Sequence, residues 1–127
     1  MGMIQQVYLI NASPEQVWQA LVDPIEIEKW GGGPVKMSDK VGAAFSLWDG
    51  DIWGTNTKVE PEHLLVQDWY GGKWEKPSEV SFTLEKEGNG TKVTLLHTEV
   101  PDKEIASFEE GWNEYYLGSL KEYLESN

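Results

Sequence analysis

From Asp102 onward the apolar residues of this 127-residue chain change their period. Ile105, Phe108, Trp112, Tyr116, Leu120 and Tyr123 recur at spacings of three and four, which puts them on one face of an α-helix. Glu104, Glu110, Glu114, Lys121, Glu122 and Glu125 fall on the other side. The predicted helix covers about residues 102–125. At about 1.5 Å per residue it is long enough to cross a sheet. A helix with one apolar stripe must bury it, so the rest of the chain has to supply the surface.

Residues 35–100 read as strands and turns. Phe45, Leu47 and Ile52 flank Asp49-Gly50, a strong hairpin signal. Pro61-Glu62 separates two further strands, and Gly71-Gly72 opens a longer loop. Val80, Phe82 and Leu84 alternate with polar residues before Asn89-Gly90, a second hairpin signal. Val93, Leu95 and His97 alternate after it. The expectation is an antiparallel meander of about six strands, or seven with a strand over residues 4–10. Between that first strand and the meander, Ser13-Pro14-Glu15-Gln16 is a helix start with a capping box. Asp23-Pro24-Ile25-Glu26 repeats the start signal, so a second short helix should end near Trp30. The predicted fold is therefore α+β: a curved antiparallel sheet wrapped around a long C-terminal helix, with two short helices between strands one and two. It is expected to form one domain over 1–127.

Composition removes several function classes. There is no Cys, so disulfide scaffolds, thiolate metal sites and cysteine nucleophiles are excluded. All 10 cations are Lys against 22 carboxylates, giving a formal charge of -12. With no Arg to grip phosphate, nucleic acid and anionic membrane are poor partners. His63 and His97 are the two histidines and lack metal-ligand spacing, so no metal is expected. The Gly31-Gly32-Gly33 run lacks the Lys-Ser/Thr of a phosphate loop, and no cofactor is implied. No segment approaches the roughly 18 apolar residues of a membrane span, and a cytoplasmic location is the expectation.

The order of motifs resembles a known family. Ala12-Ser13-Pro14-Glu15-Gln16-Val17-Trp18-Gln19-Ala20-Leu21, then Asp23-Pro24 and Trp30, is similar to the opening of the heat-shock protein 90 ATPase activator homologue family. Val41-Gly42-Ala43-Ala44-Phe45, Gly54, Val59-Glu60-Pro61-Glu62, Trp69, Gly90-Thr91, His97 and Gly111-Trp112 follow in the family's order. Ala43 stands where the family's strand has a second glycine. The resemblance implies the START/SRPBCC (birch-pollen-allergen-like) helix-grip superfamily. It also implies a cavity between sheet and helix, which many members use for a hydrophobic small molecule. In the eukaryotic co-chaperones this domain is only the C-terminal half, so co-chaperone activity does not follow from the fold.

Strand parity assigns residues to the cavity. A tight turn at Asp49-Gly50 puts Phe45, Leu47, Ile52, Gly54 and Asn56 on one face, and leaves Trp48 and Trp53 on the other. A two-residue turn at Pro61-Glu62 sets Gly54 opposite Trp69, and Asn56 opposite Gln67. Turning at Asn89-Gly90 sets Phe82 opposite His97. With Phe108, Trp112 and Tyr116 of the helix, and Trp30 as a lid beside the 31–34 loop, these form the candidate ligand site. The aromatics read first as plain core and His97 as a hydrogen-bonded core histidine, and Asn56 and Gln67 have the alternative of pairing with each other. Gly111 reads as a place of close packing on a strand.

The leading functional expectation is a binding module for a neutral, largely apolar small molecule, without catalysis of its own. The alternative is a co-chaperone-like interaction module, as a monomer or weak dimer. An enzyme using Glu109 or His97 as acid or base ranks last. The charge yields the first test. The protein should bind neither duplex DNA, RNA nor anionic vesicles at physiological salt, and micromolar binding in a gel-shift or flotation assay would overturn the electrostatic reading.

Overall fold

In the computed structural model, which describes residues 2–126, β1 (Gly2–Ile10) leads into α1 (Pro14–Val22) and α2 (Pro24–Trp30). Met1 and Asn127, the ends of the expected domain, lie outside the described residues. Both helices start as their sequences require. Ser13 accepts from the Gln16 backbone N–H at 3.2 Å, while the Gln16 side chain accepts from the Ser13 N–H at 2.9 Å. Asp23 caps α2 by accepting from the Ile25 N–H at 2.9 Å, and Gly31 ends that helix at φ 105°. The Trp30 indole N–H donates to the Ala20 carbonyl at 2.8 Å, which pins α2 onto α1.

Then follow β2 (Ala44–Leu47), β3 (Ile52–Glu60), β4 (Leu64–Gly71), β5 (Ser78–Glu87) and β6 (Gly90–Val100). They form one antiparallel sheet in the order β1-β6-β5-β4-β3-β2, so the sheet has six strands with the first included. The stretch after α2 adds only a bridge between Lys36 and Ser46.

Two turns differ from expectation. The β3–β4 loop holds three residues, since Glu60 pairs with Leu64. A bulge at Thr57 cancels the extra residue, so Gly54 still faces Trp69 and Asn56 faces Gln67. The β5–β6 hairpin turns at Gly88-Asn89, with Glu87 opposite Gly90. Gly88, at φ 59°, supplies the positive dihedral at the first turn position. His97 therefore pairs with Val80, and Phe82 with Leu95. The slip is two residues, so every side chain keeps its face.

The C-terminal segment is helical but not uniform. A 3-10 turn (Asp102–Glu104) precedes α3 (Ile105–Gly111), a π-helical turn (Trp112–Tyr116) and α4 (Leu117–Glu125). The Leu117 N–H reaches back five residues, to the Trp112 carbonyl. A Cβ at Gly118 would run into the Asn113 carbonyl oxygen, so glycine there lets the turn form. The extra residue places two neighbours, Tyr116 and Leu117, in the core together. Trp112 and Leu120 are buried as expected, whereas Phe108 is only half-buried. No helix among the described residues is long and apolar enough to cross a membrane.

Trp112 is 2 % exposed and stacks on Trp69 of β4, with ring centroids 4.8 Å apart. Trp112→Ala should therefore cost about 3–5 kcal/mol in urea unfolding. A cost within about 0.5 kcal/mol, the size of a surface substitution, would place the helix elsewhere.

Candidate ligand-binding cavity

A cavity of about 470 Å³ lies between the β2–β3 turn and the first half of the C-terminal helix. Trp69, Trp112 and Tyr116 form its floor, Phe108 and Tyr115 one side, and Trp48 the other. Ile52, Asp51, Ser107 and Gly111 complete the wall.

The notch on the helix side has a simple origin. Ser107, Gly111 and Tyr115 are spaced four apart and stack along the helix. Gly111 has ordinary helical dihedrals, φ -62° and ψ -38°. A Cβ built on it would meet nothing within 4 Å. The glycine therefore does not serve close packing on a strand; it leaves the cavity its room. Gly54 is the opposite case. A Cβ there would collide with the Asp68 carbonyl oxygen of the neighbouring strand, so a bulky residue at Gly54 would force the strands apart rather than fill the cavity.

Trp48 sits on the cavity side, against expectation. It leaves the β2 strand at φ 49° and Asp49 follows at φ 56°, both left-handed, so strand parity no longer governs its side chain. Its indole N–H donates to the Gly31 carbonyl at 2.8 Å, and its ring meets Tyr116 edge-on at 6.1 Å. The 31–34 loop thus supports Trp48 from behind. Trp53 does lie on the outer face, stacked on Tyr70 at 4.1 Å. Trp30 is not a lid: it is 6 % exposed and packs on Tyr116 at 4.8 Å.

Of the ten expected site residues, the structure brings Trp69, Phe108, Trp112 and Tyr116 together around the cavity. Phe45 and Phe82 are buried beneath it, against Trp69 and Trp112 respectively. The amides of Asn56 and Gln67 have spent their hydrogen bonds internally. Trp69 Nε1 donates to Gln67 Oε1 at 2.8 Å, and Gln67 Nε2 donates to Asn56 Oδ1 at 2.9 Å. Asn56 Nδ2 then donates to the carbonyls of Ser38 and Lys40, which ties down the irregular stretch before β2. Asn56 and Gln67 do form the mutual pair.

His97 belongs to a second line. Trp112 Nε1 donates to His97 Nδ1 at 3.1 Å, so that nitrogen is bare and the proton sits on Nε2. Nε2 lies 2.7 Å from Ser78 Oγ, whose own hydroxyl donates to the Trp69 carbonyl at 3.2 Å. Burial lowers the imidazole from its ordinary 6.5 to about 4, which keeps it neutral. With both nitrogens taken, His97 is a core histidine. Glu109 is exposed, and its backbone carbonyl accepts from Gln6 Nε2. Tyr116 contributes its ring; its hydroxyl is buried without a hydrogen-bond partner among the described residues, and burial pushes its pKa well up. Trp48, Asp51, Ser107, Gly111 and Tyr115 were not expected at the site. The four-residue spacing of 107, 111 and 115 beside Trp112 was the signal that could have revealed three of them. Among the described residues no metal-ligating cluster exists.

The lowered histidine gives a signed pH dependence. Between pH 6.5 and 4 the unfolded chain binds a proton at His97 that the folded chain refuses. The stabilisation is therefore complete above pH 6.5 and lost as pH falls toward 4, by about 3 kcal/mol. Urea unfolding from pH 7 to 4.5 should show a shallower decline for His97→Gln than for the unaltered chain. Parallel curves would contradict the neutral buried imidazole.

With this geometry in view, the likeness to known proteins is specific. A family model described as "Activator of Hsp90 ATPase homolog 1-like protein" matches residues 11–125. The activator of 90 kDa heat shock protein ATPase homolog of Dictyostelium discoideum is 29% identical over 114 residues, which cover 87% of this chain and 30% of that protein. The human homolog 1 is 24% identical, over 87% of this chain and 33% of its own length. The chain thus spans about a third of these curated relatives. Among solved structures, the Aha1 dimer from Colwellia psychrerythraea is 30% identical with TM-score 0.84, covering 98% of this chain and 97% of that one. An HSP90 activator from Plasmodium falciparum, 23% identical over 97% of this chain and 96% of its own, has the same fold at TM-score 0.87. The motif order, the helix-grip architecture and the match over residues 11–125 agree, and the chain belongs to the family of Activator of Hsp90 ATPase homolog 1-like proteins.

Proposed function

We propose that this chain binds a small apolar molecule in the cavity between its sheet and its C-terminal helix. The observation that carries the reading is Gly111. A helix-interior glycine costs about 1 kcal/mol against alanine. A Cβ there would meet nothing within 4 Å, and its absence leaves part of a space of about 470 Å³ walled by aromatic rings. Concave apolar walls of this size are the usual form of small-molecule sites. A neighbour from the dynemicin biosynthetic locus, 25% identical over 98% of this chain and 47% of its own, is in keeping with small-molecule chemistry on this fold. The negative charge and the lack of Arg disfavour anionic ligands.

The test is a titration with neutral and anionic members of one aromatic series, followed by Trp fluorescence and amide shifts. Neutral members should perturb Trp69, Phe108 and Trp112, and anionic ones should bind more weakly. Gly111→Phe should fold normally and lose the response. No perturbation by any neutral member at about 1 mM, or undiminished binding by a folded Gly111→Phe, would sink the reading.

A second reading, contact with a 90 kDa heat shock protein, has the names of the curated relatives in its favour. The same reading admits weak self-association, since the Colwellia neighbour is described as a dimer. Retention of purified chaperone on the immobilised chain would support it, and no retention would remove it.

A further inference from the structure

We propose that the ligand of this cavity is an organic cation: an apolar body bearing a protonated amine or quaternary ammonium, its charged end at the mouth beside Asp51. The inference rests on the cavity being a binding site and names the chemistry that site selects.

Four observations lead to it. First, the wall is aromatic on three sides, with Trp48, Trp69, Phe108, Trp112, Tyr115 and Tyr116 contributing rings. Ring faces carry negative charge density and attract a cation within about 6 Å of their centroids. Second, among the described residues Asp51 is the one charged residue of the wall. Its carboxylate is exposed and has no ion pair or hydrogen-bond partner among the described residues. No lysine lines the cavity to neutralise it. Third, apart from the Tyr116 hydroxyl, the buried polar groups nearest the cavity are already used. The indole N–H groups of Trp48, Trp69 and Trp112 all donate within the protein, as do the amides of Asn56 and Gln67. Fourth, the formal charge of -12 makes the long-range field attractive to cations. A neutral ligand finds the hydroxyls of Ser107 and Tyr115 and the unpartnered hydroxyl of Tyr116, but nothing there matches a positive charge except Asp51, and an anion meets Asp51 directly. A cation satisfies both the rings and the carboxylate.

The notch fixes where the charge goes. Tyr115 is 62% exposed and Phe108 half-buried, so these rings stand toward solvent on either side of Gly111. Asp51, in the β2–β3 turn, is exposed and lines the same cavity. The floor of Trp69, Trp112 and Tyr116 is buried and receives the apolar body.

The experiment compares three probes of one shape: 4-(trimethylammonio)phenol, its neutral carbon isostere 4-tert-butylphenol, and 4-hydroxybenzenesulfonate. Binding is followed by calorimetry and amide shifts of the full chain at about 50 mM salt. The neutral isostere is the more hydrophobic, so burial alone would favour it. The expected result is that the ammonium binds at least about fivefold more tightly than the isostere, with the sulfonate weakest. Asp51→Asn should cut ammonium affinity at least about threefold and leave the isostere unchanged. Raising the salt should weaken the ammonium alone. If the isostere binds as well as the ammonium, or Asp51→Asn leaves the ammonium unaffected, the cation inference is overturned while the cavity reading stands. If none of the three binds, both fall together.

Discussion

The stacked pair Trp69 and Trp112 is the contact on which the rest of the molecule depends. One ring comes from β4 and the other from the C-terminal helix, and their centroids lie 4.8 Å apart. A large ring in a core contributes mainly through burial, but its indole N–H must find an acceptor or carry a penalty of about 1–3 kcal/mol. Each of these N–H groups starts a line of buried hydrogen bonds. From Trp69 the line runs through Gln67 and Asn56 to the stretch before β2. From Trp112 it runs through His97 and Ser78 back to the Trp69 carbonyl. The second line closes on the residue that begins the first. Helix, central strands and an irregular segment are thereby fixed relative to one another by polar groups inside an apolar core.

This arrangement explains why the cavity is apolar. The indole, amide and imidazole groups nearest to it are turned inward and satisfied, so the surface left facing the space is mostly ring, with Asp51, Ser107 and the tyrosine hydroxyls as its polar members. It also explains why the histidine carries no proton. A charged imidazole would have to displace the Trp112 N–H from Nδ1, in a place where burial already disfavours the charge. The glycines divide their work along the same boundary. Gly54 and Gly118 permit backbones to approach where a Cβ has no room, while Gly111 leaves space where a Cβ would have met nothing.

Much of this was legible in the sequence, and the reason is periodicity. A capping box, two proline starts and the change of apolar period at Asp102 placed the elements. The facing of the strands survived two wrong turns. At the β3–β4 loop the bulge at Thr57 offset the extra loop residue, and at β5–β6 the slip was even-numbered. What was not legible were departures from regular geometry. Trp48 joined the cavity because two left-handed residues broke the alternation, and no motif at Trp48-Asp49 announces that for a bulky residue. Leu117 joined the core because the π turn added a residue to the helical count. Gly111 reads as a packing glycine because sequence does not distinguish a Cβ that would clash from one that would meet empty space. The polar residues of the face were identified, but whether they hold a ligand or one another depends on distances no spacing encodes.

The family gives the architecture, and the site gives the chemistry. The curated relatives it matches are about three times as long as this chain, so their activities as whole proteins do not transfer with the fold. What this chain carries in itself is an aromatic space whose neighbouring indole, amide and imidazole groups are satisfied internally. That claim is tested most directly by a long-range proton–nitrogen correlation spectrum of the His97 ring. At pH 7 the spectrum should show the proton on Nε2 and a bare Nδ1, and the same pattern should persist at pH 5. A proton on Nδ1, or a ring that titrates near 6.5, would mean that Trp112 does not donate to it and that the helix is not held over the sheet in this way.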